Sequence, residues 1–192
     1  MLSVPNRLAA LRTLREGGVI AAPTEAVWGY SCDPWNPEAV ARLLALKQRD
    51  PRKGLILVAA SEAQLAPLIE PLDWFQRERL LAHWPGPYTF LVDDPHGWVP
   101  SCIKGRFSKV GVRVTAHPVM KALCEAWGGP LVSSSANRQG RPPARDEAQL
   151  RHVLAALEKR SDRPLVIPGV TGGLAQPTLI RDLATGAIVR QA

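Results

Sequence analysis

The sequence predicts an α/β protein in which helices cover a mixed β-sheet, and three observations carry that prediction. Helical and strand patterns alternate along the chain instead of clustering into blocks. The 192 residues are 46% hydrophobic and 21% charged, enough apolar side chain for one substantial core and too few charges for a disordered chain. No internal repeat and no Pro/Gly/Ser linker divides the chain, so a single domain over 1–192 is expected.

Leu8, Leu11 and Leu14 recur at helical spacing until Gly17-Gly18 stops them, and VIAAP then reads as a buried strand ending at Pro23. NPEAVARLLALKQ forms the next helix, with Asn36 as N-cap and Pro37 at the first helical position. LILVAA at 55–60 is a strand, and SEAQLAPLI opens a helix with a capping-box pattern, Ser61 followed by Gln64. WFQRERLLAHW is helical, YTFLV and VGVRV are strands, and HPVMKALCEAW is a helix closed by Gly128-Gly129. PLVSSSAN is a strand running into a polar loop, and DEAQLRHVLAALEK is the last helix. LVIPG, TLIRDL and AIVRQ are short strands, the last two joined like a hairpin across Ala184-Thr185-Gly186.

The formal charge is +7, from 24 Lys and Arg against 17 Asp and Glu, which favours anionic partners without choosing between nucleic acid and a small phosphate compound. Cys32, Cys102 and Cys124 are odd in number and make no zinc-ligand spacing, so free thiols in a reducing compartment are expected. No run approaches the roughly 18 apolar residues of a membrane span, so a cytoplasmic location is expected. G-K-[ST], H-E-x-x-H, G-x-S-x-G and G-x-G-x-x-G are all missing, which removes the common phosphate cradles, zinc proteases and serine hydrolases.

Two segments stand out. In KQRDPRKG, residues 47–54, four cations crowd a helix end. Cations there complement the helix dipole, but their mutual repulsion is also what a bound polyanion would relieve. Lys47 and Arg49 would project to one side if the chain is extended there. In LVSSSANRQG, residues 131–140, the serines and Asn137 suit a simple turn and equally a phosphate site, with Arg138 and Arg141 close by. His83, His96, His117 and His152 fall into no triad order, which argues against a nucleophilic serine.

PTEAVWGYSCDP, LLALKQRDPRKGLILV, WPGPYTF, VGVRVTAHP and PLVSSSANRQG, taken in order, resemble the signature segments of the YrdC/TsaC family of threonylcarbamoyl-AMP synthases. The resemblance runs from about residue 7 to the end of the sequence. It implies a twisted mixed sheet with a basic concave cleft, and the short form of the family without a further C-terminal domain. It also implies condensation of L-threonine, bicarbonate and ATP to threonylcarbamoyl-AMP and pyrophosphate. Lys47 and Arg49 take the catalytic place of the family's Lys-x-Arg element. Lys47, Arg49, Lys53, Thr89, Ser133, Ser135, Asn137 and Arg181 would bind ATP, and Thr24 and Arg113 would orient threonine. Mg2+ would arrive with ATP, with no metal site built from protein side chains. The product would pass to a TsaB/TsaD/TsaE-type complex that modifies tRNA. The rival reading is a non-catalytic double-stranded RNA-binding module, and weak RNA binding beside catalysis is compatible with the charge.

Overall fold

The computed structural model describes residues 2–157 and 163–190. Nine strands form one mixed sheet: β1 (Ile20–Pro23), β2 (Trp28–Ser31), β3 (Ile56–Ala59), β4 (Tyr88–Asp93), β5 (Lys109–Val114), β6 (Leu131–Ser135), β7 (Leu165–Val166), β8 (Leu179–Asp182) and β9 (Ile188–Arg190), in the order β7-β1-β2-β6-β3-β5-β4-β8-β9. The pairs β7/β1, β3/β5 and β4/β8 are parallel and the other five are antiparallel. Helices α1 (Val4–Arg15) and α6 (Pro118–Trp127) pack on one face, and α2 (Pro37–Lys47) packs on the other.

Alternation along the strands sorts the core into two layers. Ile20, Ala22, Val58 and Leu131 face Leu14, Met120 and Leu123 on one side. Ala21, Trp28, Tyr30, Leu57, Phe90 and Val112 face Val40 and Leu43 on the other. The first face turns polar further along the same strands: Val58 is followed outward by Ile56, Leu131 by Ser133 and Ser135, and Arg113 stands on this side of β5. A cavity opens there.

Most expected elements form close to their expected limits, with four departures. β2 was not anticipated, because VWGYS has no polar alternation to mark it; all four of its residues are buried. The expected helix at 61–69 is a 3-10 turn (Glu62–Leu65) followed by a single turn, α3 (Ala66–Ile69). Ser61 makes no capping bond, since Gln64 instead accepts from Ala60 N at 2.8 Å and donates to Cys124 O at 2.8 Å. The reciprocal capping box lies at Asp73 and Gln76, opening α4 (Trp74–Leu81). The last helix, α7 (Glu147–Ala155), ends before Glu158 and Lys159, which lie outside the described residues. One further short helix, α5 (Ser101–Lys104), precedes β5.

Candidate active site

Helix α2 is entered by Asn36, whose side chain accepts from Glu38 N and Ala39 N, and it is ended by Gln48, which takes left-handed φ 49° and ψ 43°. That left-handed residue corrects the expectation of an extended Lys47–Arg49 segment. Lys47 is the last helical residue and Arg49 begins the next loop, its N–H still bonded to Leu44 O at 3.0 Å. The two side chains therefore leave in different directions.

Lys47 is buried against the end of β6. Its ammonium donates to Ser135 O, to Asn137 O at 3.2 Å, to Asn137 Oδ1 at 3.1 Å and, more weakly, to Ser135 Oγ at 3.5 Å. Ser135 Oγ donates to Asn137 Oδ1 at 2.6 Å, and Gln139 N returns to Lys47 O at 2.7 Å. Every partner is a neutral oxygen. Burial, and then the charge of Arg49, push the Lys47 pKa down to about 8.

The cavity beside this knot has a volume of about 240 Å³ and is lined by Thr24, Arg49, Arg113, Ser133, Ser135 and Thr178, among others. Arg49 donates to Gly54 O at 2.9 Å, while its Nε is buried without a partner. Burial lowers its pKa, partly offset by Asp50. Arg113 is ion-paired with Glu25, Nη2 to Oε2 at 3.3 Å, and both side chains are almost wholly buried. Thr115 Oγ1 donates to Glu25 Oε1 at 2.6 Å and accepts from His117 N at 3.1 Å. His117 Nε2 lies 3.0 Å from Val170 O, and burial holds its pKa below the ordinary imidazole value.

Residues 170–174 form a strap over the turn after β1, with Gly172 N donating to Thr24 O at 3.0 Å and Leu174 N to Glu25 O at 3.1 Å. Glycine is required at 172, because a Cβ would stand 2.9 Å from Glu25 O and 3.1 Å from its Cα.

The expected site residues are thus only partly brought together. Thr24, Arg49, Arg113, Ser133 and Ser135 line the cavity, and Lys47 and Asn137 sit behind Ser135. The Thr24 hydroxyl is engaged locally, donating to Val27 O at 2.7 Å. Lys53 is exposed and lines a neighbouring hollow of about 360 Å³, reached across Arg49 and Gly54. Thr89 is fully buried and lines none of the described hollows; its hydroxyl lies 3.2 Å from that of Thr178, which does reach the cavity. Arg181 pairs in register with Phe90, placing it on the sheet face opposite Thr89, where it lines a hollow of about 300 Å³ that adjoins the cavity through Pro177 and Thr178. Thr115 and the glycine strap escaped the sequence reading, and Glu25 and His117 were given no role in the site. The alternation Arg113-Val114-Thr115 is the signal that could have placed Thr115 beside Arg113. Among the described residues no group of three or more His, Cys, Asp or Glu is placed to hold a metal ion.

A family model for Sua5, YciO and YrdC, described as "Telomere recombination", matches residues 12–192. The chain belongs to the Sua5/YciO/YrdC family. Among curated members, it is 47% identical over 192 residues to a threonylcarbamoyl-AMP synthase of Chromohalobacter salexigens, covering all of both chains. It is 50% identical over 177 residues to one of Marinobacter nauticus, covering 92% of this chain and 90% of that one. Among solved members, P. abyssi Sua5 complexed with L-threonine superposes with a TM-score of 0.82 at 27% identity, over 95% of this chain. The chain spans about half of that Sua5, 52% of its length. YciO of E. coli gives a TM-score of 0.79 at 26% identity, over 97% of this chain and 89% of that one. The family fold accounts for the large mixed sheet with helices on both faces.

Proposed function

We propose that this protein is an L-threonylcarbamoyl-AMP synthase, a nucleotidyltransferase that condenses L-threonine, bicarbonate and ATP. Full-length identity near one half to relatives of that name supports the activity. The observation that carries the mechanism is the composition of one cavity, where two guanidinium groups and several hydroxyls converge above a buried lysine. Threonine's amine joins bicarbonate to give a carbamate and water. A carbamate oxygen then attacks the α-phosphorus of ATP and pyrophosphate leaves. Carboxylate, carbamate and triphosphate repel one another, so fixed cations and donors aimed at the transferring phosphate are the main service a protein can give.

In this reading Arg113 takes the threonine carboxylate and Thr24 shapes the floor beneath it. Arg49, with a buried donor still unpartnered, takes phosphate oxygens, and the Ser133 and Ser135 hydroxyls take others. Lys47 acts from behind, fixing Ser135 and Asn137 and placing its charge under the triphosphate. Lys53 adds charge at the rim, and Thr89 supports Thr178. Arg181 is given no contact with ATP, since its strand register turns it away. Mg2+ enters with ATP, held by phosphate oxygens and water. Glu25 is already engaged by Arg113 and Thr115, and the remaining oxygen donors of the cavity are neutral, which suits a hydrated ion and not a caged one.

Cytoplasmic tRNA modification, with the product consumed by a TsaB/TsaD/TsaE-type complex, is the setting this activity requires. No helix among the described residues is long and apolar enough to cross a membrane. A purely RNA-binding role gains no support from relatives named as synthases. The test is threonine-dependent pyrophosphate release from ATP and bicarbonate. Arg49→Ala is expected to lose about 2 to 4 kcal/mol of transition-state stabilisation, roughly 30- to 1,000-fold in rate. Near wild-type turnover by a folded Arg49→Ala protein would overturn the assignment.

A further inference from the structure

A second and larger hollow lies behind the catalytic loops. Its volume is about 990 Å³, and it shares no lining residue with the active-site cavity. Arg42, Arg138 and Arg163 converge on it from three separate segments, over an apolar floor that includes Val19, Leu46 and Leu165. Each guanidinium is steered by a backbone carbonyl: Arg42 by Gly17 O at 3.1 Å, Arg138 by Ala156 O at 3.1 Å and Arg163 by Ala155 O at 3.5 Å. None of the three forms an ion pair with a carboxylate among the described residues. Elsewhere in the molecule Arg12, Arg52 and Arg151 do have such partners.

Among the described residues no carboxylate neutralises these three arginines, and the carbonyl bonds orient them without cancelling their charge. Such an arrangement suits an anion with several oxygens, because a planar guanidinium keeps further N–H donors free after one is used. The apolar floor adds a surface for a flat, uncharged moiety. We propose that this hollow is a second binding site, distinct from the active site, for a polyphosphate compound of nucleotide size.

The hollow also touches the catalytic loops through their backbones. Gln48, the left-handed residue directly after Lys47, lines it, as does Arg138, directly after Asn137. The bond from Gln139 N to Lys47 O at 2.7 Å joins these two segments. A ligand that draws Arg42 and Arg138 together therefore pulls on both sides of the Lys47 knot. Occupancy of the rear site would alter the front one, and by linkage the reverse holds.

The experiment counts bound ligand by equilibrium dialysis, using ATP and, separately, inorganic pyrophosphate, with no threonine present. Two variants are compared, Arg49→Ala in the front cavity and Arg42→Gln/Arg163→Gln in the rear hollow. The wild type is expected to bind two equivalents of at least one probe. The rear double variant should bind one, with its affinity for the second equivalent weakened at least tenfold. Combining it with Arg49→Ala should remove both. ATP filling two sites would identify a nucleotide site, and pyrophosphate alone doing so would identify a product site. In kinetics, pyrophosphate, where it fills the rear site, should inhibit the wild type in a mixed manner against ATP, and the rear double variant only competitively. Wild-type binding that is unchanged in the rear double variant overturns the proposal, whether it amounts to one equivalent or two. Binding of a short RNA duplex that depends on Arg42 and Arg163, without a second small ligand, would overturn it in favour of a nucleic-acid surface. The dialysis outcomes do not depend on turnover, so failure of the synthase reading and failure of the rear site are separately visible.

Discussion

Lys47 gives a proton-linked prediction that can be worked through. In the free protein its ammonium is buried among neutral oxygens with Arg49 nearby, and its pKa stands at about 8, against an ordinary 10.5. A triphosphate laid over Ser135 supplies the negative charge the site lacks and returns the pKa toward its ordinary value. At about pH 8.5 the free group is about one quarter protonated and the ATP-bound group almost fully so, an uptake of about 0.7 proton per ATP. Titration calorimetry in two buffers of different ionisation enthalpy reads that number directly. ATP affinity should fall with rising pH, by up to about tenfold per unit between about pH 8 and about pH 10. The free protein should show the opposite slope. The unfolded chain holds this proton more tightly than the folded one, so Lys47 makes stability rise with pH across that window. Lys47→Met should abolish both effects. Uptake below about 0.2 proton, or uptake that survives in Lys47→Met, would refute the reasoning, since a charge-deficient Lys47 is what it rests on.

Glu25→Gln should leave Thr115's hydrogen bond an acceptor but remove the charge that holds Arg113. KM for L-threonine is expected to rise roughly tenfold or more, the cost of about one charge-assisted contact, with KM for ATP little changed. Gly172→Val should force the strap off Glu25, raising KM for threonine while thermal stability changes by less than about 2 kcal/mol. Asp94→Asn should lower stability by about 2 kcal/mol in urea unfolding at neutral pH. Burial raises the Asp94 pKa, but hydrogen bonds from Lys104, Val99 and Trp98 outweigh it and hold the carboxyl below its ordinary value. This contribution should therefore be present above the ordinary carboxylate pKa and be lost as pH falls through the lowered one.

The parts of the fold that were legible in the sequence are those where one local signal decides. Asn36-Pro37 opens α2, Gly128 in a left-handed conformation closes α6, and the apolar runs of β1, β3 and β5 need no partner to be recognised. β2 was invisible because both its faces are buried and it follows a turn, so neither polarity nor punctuation marks it. Site residues were legible as types and not as neighbours. Lys47, Arg49, Ser135 and Asn137 were singled out, but a single left-handed residue, Gln48, decides where the first two point. Glu25 sits 88 positions before Arg113, and only the sheet order brings them together. Arg181 shows the same limit from the other side, since a one-residue change of strand register decides which face it occupies.

The lysine knot joins positions 88 and 90 residues apart, and the strap over Thr24 and Glu25 comes later still, at 170–174. β2 pairs with β1 at once and finds its second neighbour only when β6 exists, and β1 finds its outer neighbour only when β7 exists. Contacts of such long range form late in folding, because their loop closure must be met first. A chain emerging from the ribosome therefore passes the synthesis of 90 further residues with the cation segment made and its oxygen partners not yet complete. During that interval the basic segment at 47–53 is a polycation without the pocket that β6 completes. The site is therefore assembled only once β6 and the strap at 170–174 have both been made.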